Sequence, residues 1–430
     1  MKPADLLGLA ARLSTPALPV QVSTHSDGEG GSNVYITVDG LARDGVSFRR
    51  QPLRMEPSPR APMADDAPLK LFDHRQPPGV DVGDPRFDAE FVALGVAARV
   101  LARLDAPTRA AALALVTGSV RVARVGLAEG SLEVEVPASG FARGHPGLET
   151  AGRAAVALAR LLAPPLDVDA RLVENLRRDP EPGVRLQSLL ALVGHLPEGS
   201  ARREALRQAA RDPAPAIRLH AALALGDEGH ALLVALADDT AAPDDCSAHA
   251  VRALGAAYPA ARAEATLAHG LTRPGRHETT AACISALVSQ GPAAVGALGR
   301  ALVAAPADLA ETLAIAVAGC GPALAEAPLL AALATGDAAR ERAATRALAR
   351  VGTAASVLPL REAAARRLAG PLRGLVHEAV AAIQSRIAGA PGTLSLADPR
   401  PAGQLSLSDP PDGRVALTGD APPAPPSGKR

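Results

Sequence analysis

An internal repeat of 33 residues constrains this chain more than any other feature. Residues 178–194 read RDPEPGVRLQSLLALVG, and residues 211–227 read RDPAPAIRLHAALALGD. Arg178, Asp179, Pro180, Pro182, Arg185, Leu186, Leu190, Ala191 and Leu192 recur as Arg211, Asp212, Pro213, Pro215, Arg218, Leu219, Leu223, Ala224 and Leu225, and Val184 is answered by Ile217. Self-similarity at such a period marks a chain that stacks one supersecondary unit on the next.

The unit is a turn followed by a helix. Asp caps, Pro suits a first helical turn, and apolar residues then return at helical spacing. A second helical stretch precedes each turn, carrying Leu172, Val173 and Leu176 before the first and Ala205, Leu206 and Ala209 before the second. Two short helices cannot bury an apolar face alone, so such hairpins stack into a continuous core. The composition suits close helix packing: 48% of residues are apolar, mainly Ala, Leu and Val, only 2% are aromatic and Trp is absent.

With an Asp in the turn and an Arg early in the second helix, these units resemble the HEAT-repeat family, armadillo-type folds that include a shorter bacterial variety. The resemblance implies a structural ladder in which that Asp and Arg tie neighbouring units together. Asp179 with Arg185 and Asp212 with Arg218 match the pattern. In TGDAARERAATRALARVG the two positions fall to Asp337 and Arg342. Between these matches, segments ending in AVRALGAAY, ACISALVSQG and TLAIAVAGCG keep the small, apolar helix pattern without the Asp–Arg pair. The fold expected is multidomain, an α-solenoid of about seven units over residues 166–388, preceded by a small α+β domain.

Residues 1–164 follow another pattern. In MKPADLLGLAARLSTPALPV, Arg12 interrupts the apolar run, and the segment reads as a short amphipathic helix of the folded domain. VQVSTHSDGEGGSNVYITVDG predicts two alternating strands around a Gly-rich loop, and VRVARVGLAEGSLEVEVP predicts a second hairpin. Between them, DPRFDAEFVALG leads into one predicted helix, VAARVLARLDAPTRAAALALV. The strings GDPRFDAEF and ARLDAPTRAA resemble an uncharacterised bacterial domain found beside HEAT-type repeats, which names no activity. Residues 389–430 repeat GTLSLAD, GQLSLSD and GRVALTGD between Pro-rich spacers. So few large apolar residues predict a disordered tail, each motif of which has the alternation of a strand that docks on a partner or on this chain's N-terminal sheet.

Function classes narrow by elimination. With 45 basic and 45 acidic residues, no global field draws the chain to nucleic acid or an anionic membrane. Three cysteines in a long chain do not make a disulfide framework, so a cytoplasmic setting is expected. Cys246, Cys283 and Cys320, spaced by 37 residues, read as one small buried residue in each of three successive units. The uncharged stretch from Thr279 to Gly299 reads as two helices and a turn, not a membrane span. In DDTAAPDDCSAH, the residues Asp238, Asp239, Asp244, Asp245, Cys246 and His249 have metal-ligating chemistry, but the string reads better as an acidic loop capping a helix. No metal site, catalytic residue or cofactor is expected, since phosphate-binding loops, zinc helices and nucleophile elbows are missing.

Arg342, Arg346 and Arg350 fall four residues apart and make a basic stripe, extended by Arg366 and Arg367. This stripe reads as a solvated face, with Arg342 serving the ladder, or as a surface for an acidic protein partner. The expected function is a non-catalytic scaffold or adaptor that binds protein or peptide partners on the solenoid surface. Resemblance to HEAT-like proteins leaves two alternatives, a lyase that attaches bilin chromophores and a DNA-binding protein. The paucity of aromatics and the balanced charge count against both.

Overall fold

A computed structural model describes residues 3–26, 32–51, 79–118, 120, 122–137, 146–366, 371–388, 405–407 and 415–417. The chain divides into two compact units, Met1–Leu232 and Leu233–Arg430. This division by packing falls later than the change of sequence pattern near residue 165, because the first helix pairs pack with the N-terminal domain. Most of the described chain is helical.

The first unit opens with helix α1 (Pro3–Leu13), strands β1 (Val20–Ser26), β2 (Ser32–Val38) and β3 (Ser47–Arg50), the short helix α2 (Pro85–Glu90) and strand β4 (Phe91–Leu94). Helices α3 (Ala97–Arg103) and α4 (Ala106–Thr117), strands β5 (Arg124–Ala128) and β6 (Ser131–Pro137) and helix α5 (Pro146–Leu162) follow. All six strands form one antiparallel sheet in the order β1-β2-β6-β5-β3-β4. Alternation decides its faces: Val34, Ile36 and Val38 on β2 and Leu132, Val134 and Val136 on β6 are all buried, beneath α5, which packs on both strands. Phe48, Phe87 and Phe91 close the other end of this core, with Phe87 stacked on Phe91 at 4.8 Å between ring centroids.

The predicted β5–β6 hairpin forms with a two-residue turn in which Glu129 and Gly130 both have positive φ, at 49° and 85°. That matches the twist of a tight hairpin. The loop at residues 27–31 predicted between β1 and β2 lies outside the described residues. One expectation is corrected: the single helix predicted after Leu94 is two. Asp105 caps α4 by accepting from the Thr108 amide at 3.1 Å, and Pro107 sits in that first turn. Phe91–Leu94, read as a lead into the helix, is an edge strand on β3.

Helices α6 (Val168–Arg178), α7 (Pro182–His195), α8 (Ser200–Ala209) and α9 (Pro215–Leu225) complete the first unit. The division falls within α10 (His230–Asp238), and the second unit goes on with α11 (Asp244–Leu254), α12 (Ala260–Thr272), α13 (His277–Ser289), α14 (Val295–Ala304), α15 (Ala310–Gly319), α16 (Pro322–Leu333), α17 (Ala338–Val351), α18 (Val357–Ala365) and α19 (Pro371–Ala388). Here packing alternates: α12 meets α14 and α14 meets α16, while α11 meets α13, α15 meets α17 and α17 meets α19. The uncharged stretch at 279–299 is α13, a 3-10 turn at Gly291–Ala294 and the start of α14. One helical run, Pro215–Asp238, is long and apolar enough to cross a membrane by length and composition; a 3-10 segment at Gly226–Gly229 interrupts it.

In the tail, two of the three motifs pair with each other. Strands β7 (Leu405–Leu407) and β8 (Val415–Leu417) run antiparallel, whereas disorder was expected. The first motif and the spacers lie outside the described residues.

The N-terminal domain meets the first helix pair at two glycines. A Cβ on Gly183, in the first turn of α7, would collide with the Gly83 carbonyl, and one on Gly83 would collide with the Gly183 backbone. Alanine ordinarily favours a helix over glycine by about 1 kcal/mol. Gly183→Ala is therefore expected to invert that preference and destabilise by about 1–3 kcal/mol. Gly194→Ala, in the same helix with open space around it, should stabilise slightly; urea denaturation of both variants measures the contrast.

Candidate interaction surface

The Asp–Arg pattern forms links of one kind in the first unit. Arg185 reaches forward to the next turn, where Nε and Nη2 bond both oxygens of Asp212 at 2.8 and 3.0 Å. Its Nη1 donates back to the Asp179 carbonyl of its own turn at 2.9 Å. Arg218 repeats the backward half, donating to the Asp212 and Pro213 carbonyls. The Asp side chains also order the turns, since Asp179 accepts from the Glu181 amide and Asp212 from the Ala214 amide.

Asp179 takes its forked partner from outside the repeats. Arg109 on α4 gives Nη1 and Nη2 to its two carboxylate oxygens at 3.0 and 2.9 Å, and Nε to Asp84 at 2.8 Å. Arg109 also donates to the Leu104 carbonyl at 2.8 Å, which copies the backward bond of Arg185. Only 2% of the Arg109 side chain is exposed. The sequence reading missed this residue. A signal existed in LDAPTR, which puts Asp, Pro and Arg in the order of the repeat turns, but the turn is shorter and a hairpin and α5 separate it from the repeat.

Two neighbouring carboxyls respond oppositely. Burial acts to raise Asp84, but the Arg109 bond and charge and the Phe87 and Arg86 amides outweigh it and hold this carboxyl below its ordinary range. Burial pushes Asp88 up to about 6, with Asp81 adding to the rise against donation from the Val82 and Gly83 amides. Asp81 and Asp88 both accept from the Gly83 amide, each at 2.9 Å.

In the second unit the third sequence match does not form the same link. Asp337 caps α17 through the Ala339 and Arg340 amides, both at 3.0 Å. Arg340, not Arg342, turns back on Asp337 and reaches the Val303 carbonyl of α14. Other contacts join successive pairs here. Asp244 at the start of α11 accepts from the Glu278 and Thr279 amides of α13 at 2.8 and 3.1 Å. Arg300 on α14 makes a forked pair with Glu264 on α12 at 2.6 and 3.0 Å.

The basic stripe is placed in part. Arg342, Arg346 and Arg350 are exposed along one side of α17. Arg346 pairs with Glu311 on α15 at 2.6 Å, whereas Arg342 and Arg350 make no ion pair among the described residues. Arg366 lies at the end of α18, donating to the Leu333 carbonyl and facing buried Glu341 at 3.6 Å. Arg367 lies outside the described residues. Exposed Ile315 on α15, which packs beside α17, and exposed Val288 on α13, which packs beside α15, add apolar positions.

The acidic string at 238–249 disperses. Asp238 accepts from the Tyr258 hydroxyl at 2.6 Å and pairs with Arg262. Asp239 orders its own turn through the Ala241 and Ala242 amides. Asp245 holds the Cys246 amide, and its carbonyl lies 3.3 Å from His249 Nδ1. Among the described residues no three His, Cys, Asp or Glu side chains gather as a metal site. Cys246 and Cys283 are buried and Cys320 half-buried; burial pushes the Cys283 thiol up to about 12 and raises Cys320.

No family model, curated protein or solved structure matches the chain.

Removing one partner from a buried ion pair costs about 3–5 kcal/mol, because the other charge stays uncompensated. Arg109→Met, which strands Asp84 and Asp179, should lower the unfolding free energy by that amount in urea titrations. The pH dependence has a defined sign. Native Asp88 retains a proton that the unfolded chain releases near its ordinary value of 3.8. Its contribution is therefore full below that value and is lost as pH rises through about 6. Asp84 acts in reverse: its contribution is present above the unfolded value and is lost as pH falls through its lower native one. Asp88→Asn should flatten the decline in stability between about pH 4 and 6, read from denaturation at successive pH values.

Proposed function

We propose that residues 166–388 form a solenoid of HEAT-like helix pairs, and that the chain is a non-catalytic scaffold binding an acidic protein or peptide partner along the exposed side of the second helices. One observation carries this reading: α11, α13, α15 and α17 present exposed side chains from successive pairs, ending at Arg342 and Arg350, which no acidic neighbour compensates among the described residues. Stacked repeats give extended surfaces on which many modest contacts add. The Asp–Arg links of the first unit support the resemblance to HEAT repeats, as does the alternate-helix packing of the second. The paired motifs at β7 and β8 supply a second contact, so that linked contacts raise avidity without a new strong one.

The test is cross-linking capture by the full chain from native lysate, beside a variant carrying Arg342→Glu and Arg350→Glu. A stoichiometric protein partner retained by the wild-type chain and reduced at least about tenfold by the charge reversal, equivalent to about 1.4 kcal/mol, supports the reading. Equal capture by both chains removes the stripe from it. Fluorescence anisotropy with a short DNA duplex is expected to show no binding at low salt. Steeply salt-dependent binding there would favour the nucleic-acid alternative.

A further inference from the structure

The second unit contains a cavity of about 310 Å³ between the end of α10, the outward side of α12 and the start of α13. Its walls are mainly apolar, from Ala237, Ala265 and Gly270, while Arg262 and Arg276 bring cationic groups to it. A ligand pocket is usually a largely apolar concavity with a few convergent polar groups, and this volume lies at the small end of that class.

The hydrogen-bond inventory decides the sign of the ligand. The acceptors here are engaged. Asp238 is held by the Tyr258 hydroxyl and by Arg262, and Asp239 by two turn amides. The Thr240 carbonyl receives Arg276. The start of α13 is also spent, because Asp244 already covers the Glu278 and Thr279 amides. Donors remain in surplus. Each guanidinium has five N–H groups; Arg262 uses one nitrogen on Asp238, with 56% of its side chain exposed. Arg276 spends Nη1 on the Ser247 hydroxyl and Nη2 on Thr240, which leaves further N–H directions open. His269 Nε2 is shut off from solvent and has no hydrogen-bond partner among the described residues, so it adds nothing to the donors that face the cavity.

We propose that this cavity binds a small anionic molecule through a carboxylate or phosphate group held by Arg262 and Arg276, with the rest of the molecule against Ala237 and Ala265. The site is distinct from the stripe on α17, and its test is independent of any protein partner.

Inorganic phosphate and citrate are the probes, titrated into the full chain at constant ionic strength and followed by melting temperature and by calorimetry. A saturable rise of about 2–4 °C at tenfold excess over Kd is expected from at least one of them. A response to phosphate alone assigns the phosphate group, and a response to citrate alone assigns the carboxylate. Ala265→Phe, which fills the exposed mouth, and Arg262→Gln should each weaken binding at least about tenfold, equivalent to about 1.4 kcal/mol. Arg203→Gln, on α8, should leave it unchanged. Absence of heat and shift with both probes up to about 10 mM, well above a millimolar Kd, overturns the proposal. So does binding that survives both cavity variants in chains with wild-type circular dichroism.

Discussion

The first unit depends on one buried guanidinium. Arg109 stands between Asp84, which caps α2 beneath the phenylalanine cluster, and Asp179, which orders the turn between α6 and α7. A charge removed from water is tolerated only when its partners are close and its donors are used. Four donated bonds between 2.8 and 3.0 Å meet that condition. The arrangement fixes both carboxylates at once, so the N-terminal domain and the first helix pair cannot shift independently without stranding charge. Gly83 against Gly183 adds a steric requirement, since the bonds form only where two backbones approach too closely for a side chain.

Much of this was legible in the sequence as pattern and little of it as partnership. Asp179, Arg185, Asp212 and Arg218 could be singled out because they recur at a fixed offset. Recurrence shows that a residue is needed in every unit; it does not show whether its partner lies in the same turn or the next. The bonds answer that, with side chain to side chain running forward and side chain to carbonyl running back. Arg109 escaped because a hairpin and a helix intervene before the chain returns to the repeat, and a period search sees only regular spacing. Asp337 and Arg342 show the converse error: the letters recur, but one missing residue changes the helical phase, so Arg342 points to solvent while Arg340 turns inward.

The second unit shows why a repeat fades in sequence while its packing persists. Joining two helix pairs requires only that some donor and acceptor meet between them. Asp244 with two α13 amides meets the requirement, as does Arg300 with Glu264, and neither resembles the Asp–Arg pair in letters. What does recur is the stop signal. Gly226, Gly255 and Gly291 follow α9, α11 and α13 at φ of 60°, 51° and 65°. Glycine reaches positive φ without strain, so ALALG, VRALG and SQG mark helix ends, at unequal spacing and not at a fixed period.

The same freedom explains where candidate functional chemistry sits. Charges that join units are internally matched and cannot serve a ligand or partner without weakening the stack. Arg185 and Asp212 are consumed in this way, and so is most of the acidic string at 238–249. Recognition must then draw on charges left over after these links are made. Arg342 and Arg350 on α17 are surplus in this sense, and the unused N–H groups of Arg262 and Arg276 are surplus in another. Net neutrality over the whole chain conceals both, because a total sums charges that lie far apart along the sequence. The chain's zero net charge therefore excludes a global field but leaves local cationic sites intact.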